Sequence, residues 1–366
     1  MVETTAFRTL KSLASRYPVV LVCGPRGTRA SALARRLMPA KSYLDLSDER
    51  TFSLAKQSPK TFLLAFPDGA IIDSLERLPS MVEAMRYHIG RWGFTPGKFI
   101  GISTCAFDLD ESDGRLVELD VAGLTVDDLQ ALKTAVNHPF QTMLSGQLPD
   151  VVEGRMRPGD VVDEILERDV LKYINKSNLE SFRAFMCHCA SASTEDFSAR
   201  MIAKVTGISA PTAKTWLSIL ERHSIIRTLF RRNDENCRAF FFSDTGILCN
   251  LLGIETKEDL ILSPHRELVA RTFAMNELLR GRFSKSMDAD LHLGLGLDFL
   301  ANWNGGFGIV IDPNIEVTEG SMAKALSSES RTVILHLGDV TYTKDGIDCI
   351  SYRDWAKLAM EIDYFS

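Results

Sequence analysis

The stretch from Val19 to Leu37, VVLVCGPRGTRASALARRL, decides the fold of the first part of the chain. Its β-branched apolar run, Val19–Val22, predicts a short buried strand. A glycine-containing turn follows, and from Ser31 onward apolar residues recur at helical spacing. A strand, a glycine-rich turn and a helix in direct succession are the frame of a phosphate-binding loop, in which backbone N–H groups and the helix N-terminus hold the phosphates.

The loop departs from the usual pattern G-x-x-x-x-G-K-[ST] at two positions. Gly24 and Ser31 fill its first and last places, but Arg29 stands at the second glycine and Ala30 at the lysine. The lysine normally brings a positive charge to the phosphates, which an alanine methyl does not. An arginine at a position that requires a positive φ is also strained.

A second strand supplies the acidic partner that a Mg-nucleotide site needs. In the stretch GAIIDSLERLP, Asp73 ends a predicted strand, where a carboxylate organises Mg²⁺. The next place, where a glutamate often polarises the attacking water, is Ser74. The candidate residues for binding ATP or ADP with Mg²⁺ are therefore Gly24, Pro25, Arg26, Gly27, Thr28, Arg29, Ser31 and Asp73.

Composition places the chain among ordinary globular proteins. It has 366 residues, 45% hydrophobic and 25% charged, with a formal net charge of −6. Its apolar runs are far shorter than a membrane span, so no membrane partner is expected. The N-terminal segment lacks the apolar core of a signal peptide. Seven scattered cysteines, an odd number, favour reduced thiols and a cytoplasmic location.

Alternating strand-like and helical segments predict an α/β fold with a parallel sheet for residues 1–125. The expected strands there are Val19–Val22, Ser42–Leu46, Ala70–Asp73, Lys98–Ile102 and Arg115–Leu119. Residues 126–192 read as a helical lid, 193–250 as a winged helix-turn-helix and 251–366 as another α/β domain. Later strands are expected at Ile225–Leu229, Ala239–Phe242, Leu297–Ala301, Gly308–Ile311 and Thr332–Leu337.

The segment 197–243 predicts two helices, a tight turn at Gly207 and a strand hairpin. Ser209 is the expected N-cap of the second helix, and Val205 is expected to face inward. Within 200–240, eight Lys and Arg residues oppose three Asp and Glu, the only basic patch that the sequence offers. Double-stranded DNA and a protein surface both remain possible partners. The candidate DNA contacts are Thr212, Lys214, Thr215, Ser218, Arg227, Arg231, Arg232 and Arg238.

The order of short motifs along the chain resembles a known family. The motifs are RYPVVLVCGPRGTRASALARRL, YLDL, AIIDSLERLP, KFIGIST, GRLVELDVAGLTVDDLQ, GQLPDVV, LERDVLKYI, AKVTGISAPTAKTWLSILE and FFFSDTGILCNLLGI. In this order they resemble bacterial and archaeal AAA+-type P-loop ATPases with a winged helix and a C-terminal restriction-endonuclease-like domain. The resemblance is strongest from Phe7 to Leu278.

Relative to that family, the sites that carry chemistry are altered. The resemblance implies a nuclease-like site with a helix glutamate, a strand aspartate and Glu-x-Lys. The chain has Arg271, Asp298 and Val310-Ile311-Asp312 at those places. A metal-dependent nuclease requires clustered carboxylates. We therefore expect Asp298, Asp312 and Glu316 to be solvated carboxylates at strand ends, with neither a catalytic residue nor a metal site.

The sequence thus predicts a degenerate member of the ATPase family, a non-catalytic DNA- or protein-binding protein. Its nucleotide site can be vestigial or regulatory, and the loss of lysine, glycine and glutamate together favours the vestigial state. The alternative is a nucleotide-binding protein or ATPase whose missing groups come from a partner chain. The oligomeric state is left open.

Overall fold

The computed structural model describes residues 2–107, 109, 114–134, 138–193, 199–231, 234–280, 291–301 and 306–360. The chain forms two compact units, the first ending at Ala122 and the second beginning at Gly123. The predicted boundaries at 192/193 and 250/251 fall within the second unit, so the division into four domains stays a prediction. None of the described helices is long and apolar enough to cross a membrane.

The first unit is built on a five-stranded parallel sheet. Its strands are β1 (Val19–Cys23), β2 (Ser42–Asp45), β3 (Ala70–Asp73), β4 (Phe99–Ser103) and β5 (Leu116–Asp120). Their order across the sheet is β2-β3-β4-β1-β5, so β1 is a central strand with β4 and β5 as its neighbours. All five agree with the strands expected from the sequence to within one residue at each end, and the α/β prediction is confirmed.

Helices cover both faces of this sheet. They are α1 (Thr5–Ala14), α2 (Ala30–Leu37), α3 (Glu49–Gln57), α4 (Pro59–Leu63) and α5 (Ser80–Trp92). Side chains alternate along a strand, so Val19 and Leu21 of β1 join one apolar core while Val20 and Val22 join the core on the opposite face. This double burial explains why β1 reads as a continuous apolar run.

The second unit contains most of the helices of the chain. They are α6 (Val126–Ala131), α7 (Pro139–Ser145), α8 (Pro149–Val152), α9 (Pro158–Arg168), α10 (Leu179–Ser191), α11 (Ala199–Thr206), α12 (Ala210–Arg222), α13 (Thr245–Leu251), α14 (Lys257–Leu262), α15 (Arg266–Leu279), α16 (Glu319–Leu326) and α17 (Trp355–Met360). The side chains of Thr125, Ser209 and Thr256 cap three of these helices by accepting a backbone N–H in the first turn.

An eight-stranded mixed sheet completes the second unit. Its strands are β6 (Ile226–Arg231), β7 (Asp234–Phe242), β8 (Leu291–Leu293), β9 (Phe299–Ala301), β10 (Phe307–Asp312), β11 (Thr332–His336), β12 (Tyr342–Lys344) and β13 (Ile347–Ser351). Their order is β12-β13-β11-β10-β9-β8-β6-β7. The predicted hairpin β6–β7 therefore belongs to the same sheet as the C-terminal strands, which it joins where Arg231 pairs with Leu293.

The helices and strands expected for 197–243 are present in the predicted order. Ser209 caps α12, and Gly207 has a φ of +72° in the turn before it. One detail was wrong: Val205 was expected to face inward but is 66% exposed. Met201, one helical turn earlier, is 60% exposed. The buried face of α11 is carried instead by Ile202 and Ala203.

A buried charged cluster ties several helices of the second unit together. The Arg280 guanidinium contacts Gln147 and lies 2.9 Å from Glu277 Oε1 and 4.0 Å from Asp244 Oδ2. Glu277 also accepts the Val126 N–H at 3.1 Å, which fixes the start of α6. Burial raises the pKa of both Glu277 and Asp244, and Arg280 counteracts that rise. The cluster therefore stabilises the fold only while its charges stay paired.

Candidate functional site

The loop Gly24–Arg29 follows β1 at the carboxyl edge of the parallel sheet. The loop therefore follows the carboxyl end of a central strand, since β1 lies between β4 and β5. Open α/β sheets bind their ligands at this edge. A Cβ on Gly24 would lie 2.1 Å from the Val121 carbonyl oxygen, so only glycine fits there. Gly27 adopts a φ of +85°, and the Thr28 hydroxyl donates to the Pro25 carbonyl at 2.9 Å. The loop is thus a defined turn held by its own residues.

Arg29 lies in the left-handed region, with φ 58° and ψ 35°, directly before α2. This is the position at which the phosphate-loop pattern has its second glycine, and the backbone has kept the conformation that glycine favours. A left-handed conformation costs a residue with a Cβ about 1–2 kcal/mol. The expected strain at Arg29 is therefore present, while the path of the loop is retained.

Four backbone N–H groups of the loop are left for a ligand. Those of Gly27, Thr28, Ala30 and Ser31 find no acceptor among the described residues. Consecutive N–H groups in a turn with left-handed residues form a concave anion site, and the start of α2 adds its partial positive charge. The backbone of this turn therefore has the geometry that a phosphate site requires.

Asp73, at the end of β3, is held by three donors. The hydroxyls of Ser31 and Tyr43 both donate to its Oδ2 at 2.5 Å, and the Ser74 N–H donates to Oδ1 at 2.6 Å. Burial, followed by the neighbouring Asp73 carboxylate, raises the pKa of the Tyr43 hydroxyl, which therefore stays a donor. Ser31 and Asp73, predicted from separate motifs, are thus brought together.

Tyr43 and Asp45 lie beside the candidate site and were not among the residues predicted from the sequence. They lie on β2, which pairs with β3 so that Asp45 is opposite Asp73. The Ser74 hydroxyl donates to Asp45 Oδ1 at 3.2 Å, and Ser74 itself is left-handed, with a φ of 60°. The signal was present in the motif YLDL, because a polar residue at the end of a neighbouring parallel strand reaches the same edge of the sheet.

The residues predicted to bind DNA are only partly brought together. Lys214, Thr215 and Ser218 lie on the exposed face of α12, whereas Thr212 is half-buried. The hydroxyls of Thr215 and Ser218 donate to carbonyls of their own helix, at 3.1 and 2.7 Å.

The hairpin arginines do not share one face. Arg227 lies on the same face of β6 as the buried Leu229, whereas Arg231 follows an irregularity in the pairing with β7. Arg238 pairs with the more exposed Phe230, on the other face. The remaining predicted contact, Arg232, lies outside the described residues.

The expectation of solvated carboxylates at the C-terminal strand ends was wrong for Asp298. This residue is 4% exposed, and it is ion-paired with Arg271 at 3.1 Å and with Lys324 at 2.9 Å. Arg271 stands where the resemblance implies a metal-binding glutamate, so a guanidinium occupies the side of Asp298 that a cation would need.

The expectation of a solvated carboxylate was wrong for Asp312 as well. Asp312 is fully buried and accepts hydrogen bonds from the Thr318 N–H and hydroxyl, both at 2.8 Å. Burial alone would raise the pKa of Asp312, but the hydrogen bonds from Thr318 and Asn314 outweigh it and lower this pKa. Glu316 is exposed, as expected. Among the described residues, no three His, Cys, Asp or Glu side chains are grouped so that they could hold a metal ion.

The strand order of the first unit and its strand–loop–helix connection together resemble the fold of P-loop ATPases. Residues 138–258, within the second unit, match a family described as a domain of unknown function (DUF8612). No curated protein matches the sequence.

Distant likenesses exist to solved structures. One is the Walker-type ATPase of Pyrococcus abyssi, with 14% identity, a TM-score of 0.40, and coverage of 67% of this chain and 94% of that one. Another is a STAND signal-transduction ATPase with a tetratricopeptide repeat sensor from Pyrococcus horikoshii, at 12% identity and a TM-score of 0.31, covering 74% and 46%. A third is the AAA domain of FIGL-1, at 16% identity and a TM-score of 0.26, covering 48% and 72%.

Proposed function

We propose that this chain binds a nucleotide through the loop Gly24–Ser31 without hydrolysing it, and that its second unit binds a macromolecular partner. The observation that carries the proposal is the set of loop N–H groups left without an acceptor among the described residues, beside the Ser31–Asp73 pair. The N–H groups of Ala30 and Ser31 lie in the first turn of α2, where every helix lacks intrahelical acceptors, so those of Gly27 and Thr28 carry the argument. Unpaired backbone donors are costly, and a loop without a ligand would be expected to pair these two.

Nucleotide binding follows from the groups that remain. The loop N–H groups and the start of α2 would hold phosphate oxygens. The oxygens of Ser31 and Asp73 have the hardness that Mg²⁺ prefers. Tyr43 now donates to Asp73, so a metal ion would have to compete with this hydroxyl or bind through water.

Hydrolysis is disfavoured by the residues at the lysine and glutamate positions of the phosphate-loop pattern. The position of the phosphate-binding lysine is Ala30, which is buried and uncharged. The position of the water-activating glutamate is Ser74, whose hydroxyl is engaged by Asp45. Glu76, the nearest glutamate in sequence, accepts the Thr104 N–H at 3.4 Å. Phosphoryl transfer relies on positioning and charge stabilisation, and Ala30 supplies no cation while Ser74 supplies no carboxylate.

For the second unit, the placement of side chains favours a protein partner over DNA. The hydroxyls of Thr215 and Ser218 on α12 donate to carbonyls of their own helix. The arginines of the hairpin lie on two different faces. Met201 and Val205 meanwhile form an exposed apolar pair on α11. In helix-in-groove recognition, apolar residues at this spacing enter a groove on the partner.

Calorimetric titration with Mg-ATP and Mg-ADP tests the nucleotide part. We expect binding to the wild type, weaker binding to Ser31→Ala, and unchanged binding to Ser42→Ala, an exposed serine of β2 in the same unit. Absence of heat with both nucleotides, together with binding by an Arg29→Gly/Ala30→Lys variant, would show that the loop is vestigial.

Gel-shift titration against salt tests the partner. DNA binding would appear as duplex affinity that falls steeply with salt and is lost in Lys214→Ala. No shift at low salt is expected if the second unit serves a protein partner. A salt-dependent shift would replace that part of the proposal by DNA binding.

A further inference from the structure

A cavity at the amino edge of the parallel sheet is lined by cationic side chains from separate parts of the chain. Its volume is about 510 Å³. Among the described residues, its lining includes four cationic side chains, Lys60, Arg86, Arg91 and Arg115, against one carboxylate, Glu83. They come from α4, from two turns of α5 and from the residue before β5. A charge count along the sequence, which indicated only 200–240 as basic, does not detect such a group.

Tyr87 contacts two of the cations, and a third, Arg86, is ion-paired with Glu83 at 3.2 Å. Lys60 Nζ lies 4.5 Å from the centroid of the Tyr87 ring, and an Arg91 guanidinium N–H donates to the Tyr87 hydroxyl at 3.1 Å. Arg115 lies beside Gly90, where a Cβ would be 3.4 Å from its guanidinium, an ordinary van der Waals contact. Ordering long cationic side chains before a ligand arrives reduces the entropy that binding must overcome.

The cavity is separate from the phosphate loop. The Arg115 carbonyl accepts the N–H of Val19, the first residue of β1, at 3.2 Å, whereas the loop follows Cys23, the last residue. A strand of five residues spans about 16 Å, so the two regions lie at opposite edges of the sheet. A ligand in the cavity can therefore be studied independently of the loop.

We propose that this cavity binds a small anion carrying two or more phosphate groups. Arginine guanidinium groups match phosphate oxygens with paired, charge-assisted hydrogen bonds. The volume lies within the range of about 300–1,000 Å³ that is typical of small-molecule sites. A nucleic-acid duplex would instead require an extended basic face. This inference does not rest on nucleotide binding by the loop.

The test is calorimetric titration of the full chain with inorganic triphosphate in EDTA at low salt. The variant is Lys60→Gln/Arg91→Gln, whose side chains lie on the exposed side of the cavity. The matched control is Arg50→Gln/Lys56→Gln on α3, which removes the same charge from exposed positions in the same unit. Arg29→Asp, which places a carboxylate at the loop, identifies any binding there.

We expect the wild type to bind triphosphate, the cavity variant to bind roughly tenfold more weakly or worse, also in an Arg29→Asp background, and the control to retain wild-type affinity. Equal weakening in the cavity variant and in the control would overturn the proposal, because the effect would then be one of net charge. It also fails if triphosphate does not bind, or if only a DNA duplex is affected by the cavity variant. Loss in Arg29→Asp alone would assign the binding to the loop and not to the cavity.

Discussion

The conformation of Arg29 leads to a stability difference whose sign can be predicted. Arg29→Ala and Arg29→Gly both remove the guanidinium. The two variants therefore differ only by one Cβ, at a position whose backbone φ is 58°. The left-handed conformation costs alanine about 1–2 kcal/mol, and glycine close to nothing. The greater freedom of glycine in the unfolded chain offsets roughly 0.5–1 kcal/mol of this advantage.

The glycine variant should therefore be more stable than the alanine variant by about 0.5–1 kcal/mol. The matched control is Ala32→Gly, an exposed site within α2 where the backbone is helical. The same chemical change there should destabilise by about 1 kcal/mol. The two sites thus predict opposite signs for the exchange of alanine for glycine.

Urea denaturation followed by far-UV circular dichroism measures the difference, with the transitions of the two units fitted separately. The expected result is a higher midpoint for Arg29→Gly than for Arg29→Ala, and a lower midpoint for Ala32→Gly than for wild type. If glycine at position 29 is as destabilising as at position 32, the loop is not left-handed there and its similarity to a phosphate loop is lost.

Three further predictions follow from other parts of the structure. Arg280→Met, which leaves two carboxylates buried without a cation, should destabilise the second unit by about 3–5 kcal/mol in urea denaturation, whereas the exposed Arg157→Met should have little effect. The pKa of Asp312 is lowered in the folded chain, so its stabilisation is present above the usual carboxyl pKa of about 4 and is lost as the pH falls. The gap in urea midpoint between wild type and Asp312→Asn should therefore shrink in acid, and a constant gap would contradict the assignment. Tyr43→Phe removes one donor from Asp73 and should tighten Mg-dependent nucleotide binding severalfold in calorimetry, while weaker binding would mean that the hydroxyl contributes to the site.

Much of the first unit could be predicted because its strands are local signals. Runs such as Val19–Val22 are apolar on both faces, which a buried parallel strand requires. The short strands β8, β12 and β13 carried no such signal. They have only three to five residues, and β12 is exposed along its whole length. Their strand conformation therefore depends on pairing with neighbouring strands, which no local apolar run indicates.

The candidate site was predictable as a frame but not in its detail. The motif pattern predicted Gly24, Ser31 and Asp73, and the structure brings Ser31 and Asp73 into contact. That Tyr43 would donate to Asp73 depends on the register of β2 against β3, which no local pattern specifies. The burial of Asp298 likewise depends on cations from two helices distant in sequence, Arg271 and Lys324.

The central claim is that the loop binds a nucleotide and leaves it unchanged. The most direct measurement is to incubate the full chain with Mg-ATP, isolate the protein from free nucleotide by rapid gel filtration, and identify by chromatography which nucleotide it carries. The account predicts ATP, recovered intact with the wild type and reduced with Ser31→Ala. Recovery of ADP above the level seen with Asp73→Ala would contradict the absence of hydrolysis. Recovery of no nucleotide at saturating ATP would contradict binding itself.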